Sequence, residues 1–174
     1  MLRDREIWRS ALLVALFNIA LFSYYSVGPF LFERLGLSGQ QFGFSGVILA
    51  LGSGLGAWLN KRLLRKGFSG VRLIRLAACV ALLGGIGVWR MQDSGLFVGA
   101  MLLVVLAFGM AIPNILGAAL VNYADRLGTA GALLGLLYYL MIGAGLMLVA
   151  WSQALGETLM VCSALALLLA RRES

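Results

Sequence analysis

Residues 95–121 read GLFVGAMLLVVLAFGMAIPNILGAALV, and this stretch contains no charged side chain. A hydrocarbon core about 30 Å thick is crossed by roughly 20 helical residues, so the stretch is long enough to span a bilayer. The core of a soluble protein does not require an uncharged run of this length. The stretch therefore predicts a transmembrane helix.

Five further apolar stretches lie between short clusters of charge. Of the 174 residues, 61% are hydrophobic and 12% are charged, whereas about a quarter of the residues in soluble domains are charged. We therefore predict an all-α membrane bundle, a single domain over residues 1–174 with about six transmembrane helices. Five is the alternative count, because the sixth stretch is short and the third begins among arginines. The predicted spans lie near 7–32, 42–59, 71–89, 95–121, 129–151 and 155–170.

The cationic residues predict the orientation of the chain. With six spans and a cytoplasmic N-terminus, twelve lysines and arginines lie on the inner side and only Arg34 and Arg90 lie outside, as the positive-inside rule requires. This predicts the plasma (bacterial inner) membrane as the location, with both termini cytoplasmic. The net charge of +7 then reflects topology and attraction to membrane lipid, and we expect no nucleic-acid partner. The inner set is Arg3, Arg5, Arg9, Lys61, Arg62, Arg65, Lys66, Arg72, Arg75, Arg126, Arg171 and Arg172.

Residue types that carry chemistry are scarce in the spans. The chain has no histidine, and Cys79 and Cys162 lie in apolar stretches without CxxC spacing, so we predict no metal site, no cofactor and no enzymatic activity. All seven carboxylates lie in loops, at termini or near a membrane face. Proton-driven transport normally uses a titratable group inside the membrane. This chain by itself therefore lacks the usual group that couples transport to proton movement. The carboxylates are Asp4, Glu6, Glu33, Asp93, Asp125, Glu157 and Glu173.

Glycines at four-residue spacing predict close helix packing. Small residues one turn apart allow helix backbones to approach closely within lipid. The pairs Gly52 with Gly56 and Gly131 with Gly135 lie in the second and fifth spans. One interpretation is ordinary packing within this bundle; the other is that these two spans slide against a partner bundle.

Polar side chains within the spans are candidates for a binding cavity, because burying them in lipid is costly. Asn18 lies near the middle of the first span, and Asn114 follows Pro113 in the fourth. The alternative for each asparagine is a hydrogen bond to a neighbouring helix, and for the tyrosines an interfacial aromatic belt. The tyrosines concerned are Tyr24, Tyr25, Tyr138 and Tyr139.

Two stretches resemble a known transporter family. The first contains YYSVGPF at 24–30 and LGLS at 35–38; the second runs from Pro113-Asn114 to GTAGALLG at 128–135. Between them, GAWLNKR at 56–62 is similar to the basic loop motif of the superfamily, with Asn60 where an aspartate is often found. In these features the chain resembles the C-terminal six-helix half of the Bcr/CflA-type drug:proton antiporters of the major facilitator superfamily.

The resemblance implies roles for individual spans and residues. The first and fourth spans would line a central substrate cavity, the second and fifth would meet the opposite half, and the third and sixth would face lipid. Cavity acidic groups of the family belong mainly to its N-terminal half. On this reading the substrate-binding residues are Asn18, Phe22, Tyr25, Asn114 and Tyr138.

The resemblance therefore implies that the chain is one half of a multidrug efflux transporter. It would work by alternating access against a second six-helix bundle, either a separately encoded N-terminal half or a second copy of this chain. The substrate would be an amphipathic small molecule. The alternative from another class is a transport-inactive membrane protein, either a truncated remnant or a subunit that only packs against other helices.

Overall fold

The computed structural model describes residues 4–171, and these residues form six α-helices and no β-strand. Each helix overlaps one of the six apolar stretches, and the all-α membrane bundle predicted from the sequence is confirmed. A 3₁₀ turn, Val121–Arg126, joins the fourth helix to the fifth. The helices are α1 (Arg5–Arg34), α2 (Gly39–Arg65), α3 (Gly70–Met91), α4 (Phe97–Leu120), α5 (Leu127–Ser152) and α6 (Leu155–Arg171).

Length and apolar composition support membrane crossing for most of these helices. Within the described residues, α1, α2, α3 and the 56-residue segment Phe97–Ser152 are long and apolar enough to span a bilayer. That last segment contains both α4 and α5. The 17 residues of α6 are slightly fewer than the roughly 20 that a full span needs, so α6 is the marginal member of the six.

Local sequence signals begin and end α1 and α2. In α2, the Ser38 side chain accepts from the Gln41 amide while the Gln41 side chain accepts from the Ser38 amide, which is a capping box. Each helix ends at a glycine with positive φ, +69° at Gly36 and +88° at Gly67. The Leu37 and Phe68 amides then bond back to carbonyls five residues earlier, the Schellman pattern that closes a helix. The connections after α1 and α2 are therefore short and well defined.

The helix contacts repeat with a spacing of three helices. α1 packs against α5 and α6, and α4 packs against α2 and α3; α1 also packs against α4, and α3 against α6. Exchanging each helix for the one three places away maps this set of contacts onto itself. Phe32 near the end of α1 contacts Phe97 at the start of α4, so the two helices run in opposite directions. The helix contacts therefore follow the pattern expected of an inverted repeat of three plus three helices.

These contacts arrange the helices in two layers. α2, α4, α1 and α5 form a front layer in that order, and α3 with α6 covers the back of α4 and α1. α1 and α4 have the most neighbours and lie at the centre. Their remaining sides face forward, away from α3 and α6.

The two ends of the bundle differ in charge. The basic end carries the start of α1, the α2–α3 connection, the 3₁₀ turn and the end of α6. Arg34 and Arg90 lie at the opposite end. Arg3, Arg172 and Glu173 lie outside the described residues, and which end faces the cytoplasm stays a prediction. The described cations at the basic end are Arg5, Arg9, Lys61, Arg62, Arg65, Lys66, Arg72, Arg75, Arg126 and Arg171.

Two arginines at the basic end fasten α6 to its neighbours. Arg9 Nε of α1 donates to the Leu169 carbonyl at 3.0 Å, and Arg75 Nε of α3 donates to the Ala170 carbonyl at 2.9 Å. The last carbonyls of a helix have no intrahelical donor and form the negative end of its dipole. The two side chains therefore satisfy the end of the shortest helix and tie it to the core.

A further contact at the basic end joins α1 to the turn between α4 and α5. Asp4 caps α1 by accepting from the Glu6 amide at 3.0 Å, and its second oxygen accepts from the Tyr123 hydroxyl at 2.8 Å. The Tyr123 hydroxyl and then the Glu6 amide hold the pKa of the Asp4 carboxyl below its usual value, because both stabilise the charged form. The pKa of Tyr123 is raised by the same bond.

The backbones of α2 and α4 touch at glycines. A Cβ on Gly56 would lie 2.1 Å from the Leu106 carbonyl oxygen, and a Cβ on Gly109 would lie 2.1 Å from the Ser53 carbonyl oxygen. At the α1–α5 contact, related by the three-helix exchange, Gly145 lies against Ile19. The outer helices of the front layer, α2 and α5, therefore pack against the central helices, α4 and α1, by close approach at glycine.

We predict that Gly56→Ala destabilises the bundle by about 1–3 kcal/mol, because the new methyl meets backbone that moves only if α2 and α4 separate. Reversible unfolding in mixed detergent and SDS micelles measures the change. Gly54→Ala is the matched control, since a Cβ there has nothing within 4 Å, and it should be neutral or slightly stabilising. Equal stability of the two variants would contradict the close contact.

Candidate functional site

Three of the predicted site residues lie on one stripe of α1. Asn18, Phe22 and Tyr25 follow each other at spacings of four and three residues, which places them on the same helix face. α1 is the most deeply buried of the spanning helices, yet Phe22 is 42% exposed, Tyr25 is 40% exposed and Asn18 is half-buried. The stripe therefore occupies a side of α1 that α4, α5 and α6 leave partly open and that α2 borders at Tyr25.

Asn18 places a polar group near the middle of α1. Its Nδ2 donates to the Val14 carbonyl at 2.8 Å, which fixes the amide on its own helix. The described residues supply no donor to its Oδ1. An amide oxygen at this depth can accept a hydrogen bond from a ligand or from water, and such a group confers orientation in an apolar site.

The ring of Tyr25 is held by an aromatic cluster at the end of the bundle opposite the basic end. Tyr24 meets Tyr25 edge-on at a centroid distance of 5.5 Å, and Phe42 of α2 meets it edge-on at 6.5 Å. Phe32 and Phe97 complete the cluster by contacting Phe42 and Tyr24. Offset and edge-on ring pairs of this kind limit the orientations of each ring, so Tyr25 is preorganised rather than free.

Tyr24 itself points into the bundle. It is fully buried, and its hydroxyl hydrogen-bonds the hydroxyl of Ser45 on α2. Ser45 in turn donates to the Phe42 carbonyl at 2.6 Å. Sequence reasoning missed this interhelical bond, because a serine in a glycine-rich helix gives no signal of its partner.

Asn114 lies away from the α1 stripe. Its Nδ2 donates to Asn60 Oδ1 of α2 at 2.7 Å and to the Met110 carbonyl at 2.8 Å. A Cβ on Gly70, at the start of α3, would lie 3.2 Å from Asn114 Oδ1. The structure therefore places Asn114 among α2, α3 and α4 near the basic end, and does not bring it together with Asn18. α4 continues as a helix through Pro113.

Tyr138 lies on α5 in a small core near the basic end. That core consists of Ile7, Ala11, Ala119 and Leu134, and Tyr138 packs against it. The ring of Tyr138 lies 4.7 Å from that of Tyr139, centroid to centroid, and Tyr139 is exposed. α1 and α5 run side by side with Ile7 beside Leu134 and Ile19 beside Gly145. Tyr138 is therefore closer to the basic end than Asn18 is.

The two predicted glycine pairs have different surroundings. Gly52 and Gly56 are buried against α4, within the bundle. In contrast, a Cβ on Gly131 would meet nothing within 4 Å, and one on Gly135 only the Tyr138 hydroxyl of its own helix at 3.9 Å. The glycine-rich face of α5 is thus the one that described residues leave uncovered.

One groove in the described chain is distinct from the α1 stripe. It has a volume of about 420 Å³ and opens between α1, α5 and α6 at the end opposite the basic end. Its walls are almost entirely apolar, with Glu157 and Thr158 of α6 among the few polar groups. No sequence pattern indicated it, because it results from the poor contact between the consecutive helices α5 and α6. The lining residues are Ile19, Gly145, Leu148, Val149, Trp151, Ser152, Ala154, Glu157, Thr158, Val161 and Cys162.

Comparison with known proteins gives two related matches. The chain is 25% identical to a protein of Rickettsia bellii (strain RML369-C) described as an uncharacterized transporter, over 82% of this chain and 39% of that protein. It is 24% identical, with the same coverage, to an uncharacterized transporter of Rickettsia felis (strain ATCC VR-1525 / URRWXCal2). The chain thus spans about two fifths of the length of the curated relatives it matches. No family model and no solved structure matches it.

We predict that Asn60 and Asn114 are energetically coupled. Replacing either asparagine by alanine leaves the other without its interhelical partner, so the double variant should lose less stability than the sum of the two single variants. Hydrogen bonds between membrane helices suggest a coupling of about 0.5–1.5 kcal/mol. A double-mutant cycle in micelles measures it, with the exposed Asn122→Ala as control. Strict additivity of Asn60→Ala and Asn114→Ala would contradict the contact.

Proposed function

We propose that this chain serves in transmembrane transport, as one six-helix half of an exporter of amphipathic small molecules. The observation that carries the proposal is the open stripe of Asn18, Phe22 and Tyr25 on α1. This helix lies at the centre of the front layer, and its open side looks away from the rest of the bundle. The names of the two Rickettsia relatives support the broader assignment to transport.

The stripe has the composition of a site for an amphipathic molecule. Two exposed aromatic rings supply apolar contact, and the Asn18 amide supplies one hydrogen-bonding group near the middle of the helix. Sites for small organic ligands are lined mainly by apolar and aromatic side chains with a few polar groups that fix orientation. Recognition of this kind tolerates several substrates, as multidrug efflux requires.

A second six-helix bundle would cover the front layer. The outer helices of this layer expose large apolar residues, including Phe44 and Leu51 of α2 and Leu140 and Met147 of α5. The match covers 39% of each relative's length, which leaves room for another bundle of the same size. We propose that the partner is a separately encoded half or a second copy of this chain, and that the cavity lies between the two front layers.

Alternating access fits this arrangement. The three-plus-three contact pattern is the internal symmetry seen within each half of major facilitator transporters, where the halves rock about a central site. This supports our proposal of a major facilitator drug antiporter in the bacterial inner membrane. No carboxylate lies at mid-depth of the helices in residues 4–171, so the titratable group for ion coupling would come from the partner.

The lack of a carboxylate at mid-depth of the helices in residues 4–171 favours a second candidate function. A bundle without a titratable group at mid-depth could be a transport-inactive subunit that only packs against other helices. The two candidates differ in the role of the stripe on α1, because a subunit that only packs against other helices binds no substrate there. Substitutions there would then leave efflux unchanged.

We predict that efflux depends on the stripe. Deleting the gene in its native host should lower efflux of a fluorescent amphipathic cation, and the wild-type chain should restore it. The Phe22→Ala/Tyr25→Ala variant should restore at least about tenfold less, since a loss of about 1.4 kcal/mol in binding is tenfold in affinity. Matched controls are Leu83→Ala and Leu168→Ala, which remove exposed side chains from the back layer.

The same experiment separates the two candidates. Full restoration by the stripe variant, at equal amounts in the membrane, would contradict the cavity assignment. No change in efflux on deletion would favour the packing subunit. Expression of this chain alone in a drug-hypersensitive foreign host should give no energised efflux, because the partner and its titratable group are missing.

A further inference from the structure

The connection between α2 and α3 carries a concentrated positive charge. Five exposed cations lie within twelve positions of the sequence: three on the last turns of α2, one at its C-cap and one on the first turn of α3. No aspartate or glutamate occurs in the sequence between Glu33 and Asp93. We name this surface the α2–α3 patch; its cations are Lys61, Arg62, Arg65, Lys66 and Arg72.

The acidic groups that the structure describes at this end of the bundle are already engaged. Asp4 accepts hydrogen bonds from Tyr123 and Glu6, Glu6 pairs with Arg9 at 3.2 Å, and Asp125 pairs with Arg126 at 2.9 Å. The ion pairs seen within residues 4–171 therefore leave the α2–α3 patch without an anionic partner. Only Arg62 has a described contact of another kind, over the ring of Trp58 at 4.1 Å.

The dipole of α2 stabilises the cations near its end, whereas the dipole of α3 destabilises the cation in its first turn. The three on α2 and the one at its C-cap lie near the negative end of that helix, where positive charge is favourable. Arg72 lies in the first turn of α3, where the positive end of the helix disfavours a cation. The α2 dipole is equivalent to only about half an elementary charge, so the patch keeps a large positive excess that an external anion would relieve.

Exposed apolar groups border the patch. Trp58, Leu64 and Phe68 are each between 41% and 49% exposed, and Phe68 is fixed by the Schellman closure after α2. Trp58 lies seven residues before the end of α2 at Arg65, about two helical turns, and tryptophans near the ends of spanning helices concentrate at the membrane interface. The apolar side chains can therefore contact acyl chains while the neighbouring cations reach phosphate groups.

We propose that the α2–α3 patch binds the headgroup of an anionic phospholipid from the surrounding bilayer. Cations clustered next to a membrane-spanning helix attract anionic lipid, and the tryptophan and phenylalanine beside them select a lipid over a soluble anion. The binding site is independent of the stripe on α1 and of any transport cycle. It consists of Lys61, Arg65, Lys66 and Arg72 around Trp58 and Phe68.

The test uses the fluorescence of Trp58. The full chain with Trp8, Trp89 and Trp151 changed to phenylalanine is reconstituted into vesicles that contain either brominated phosphatidylglycerol or brominated phosphatidylcholine in the same proportion. Bromine quenches only nearby tryptophan. We expect phosphatidylglycerol to quench Trp58 several-fold more strongly, and the preference to fall as NaCl is raised, because salt screens exposed charge.

Variants test whether the preference for phosphatidylglycerol depends on the cations of the α2–α3 patch. Lys61→Gln, Arg65→Gln, Lys66→Gln and Arg72→Gln together should lower the ratio of quenching by phosphatidylglycerol to quenching by phosphatidylcholine from several-fold to about one, with Arg62 kept to preserve its contact with Trp58. Lys61→Arg with Lys66→Arg should retain it. A chain whose one tryptophan is Trp89, near the opposite end, is the positional control and should show no preference.

Three outcomes would overturn the proposal. They are equal quenching by the two lipids, an unchanged preference in the four-glutamine variant, and removal of the preference by millimolar inorganic phosphate. The last would indicate a general anion site. The salt dependence of the unsubstituted patch keeps the proposal testable if the four-glutamine variant fails to fold.

Discussion

Inside a bilayer a charge has no water to solvate it, and this constraint determines where every ionised group of the chain can lie. The described lysines, arginines and carboxylates lie at the two ends of the bundle, and the helices between them are apolar. The charged side chains at the ends form polar contacts that the apolar helices cannot form. Arg9 and Arg75 donate to the last carbonyls of α6, and Asp4 accepts a hydrogen bond from the turn after α4. The same constraint leaves a surplus of positive charge at the α2–α3 patch.

Between the ends, the helices must associate without a hydrophobic drive, because lipid is as apolar as their side chains. Close backbone contact at Gly56 and Gly109 joins α2 to α4, and the buried hydroxyl pair of Tyr24 and Ser45 joins α1 to α2. These contacts use up the inward faces of α1 and α4. What stays open on α1 is the stripe of Asn18, Phe22 and Tyr25, so the site is a consequence of the packing.

Much of this was predictable from the sequence. Uncharged runs such as 95–121 indicate where the helices lie, whereas α1 and α2 continue to Arg34 and Arg65, beyond the predicted limits of 32 and 59. The site was predictable only in part, since helical spacing groups Asn18 with Phe22 and Tyr25 but says nothing of which neighbour faces Asn114. That side chain binds Asn60, 54 positions away in the sequence. The partners of Tyr24 and Arg75 could not be predicted either, because contacts between helices that are distant in the sequence depend on the rotation of each helix about its axis.

The central claim is that the stripe on α1 faces a water-filled cavity in the native membrane, and cysteine accessibility tests it most directly. With Cys79 and Cys162 changed to serine, single cysteines at positions 18, 22 and 25 are exposed to a membrane-impermeant, positively charged thiol reagent in native host membranes. The account predicts that they react at least about ten times faster than cysteines at Leu83 and Leu168, which are exposed on the back layer and which we propose face lipid, since a thiol reacts as its hydrated thiolate. Equally slow reaction at all five positions would contradict it.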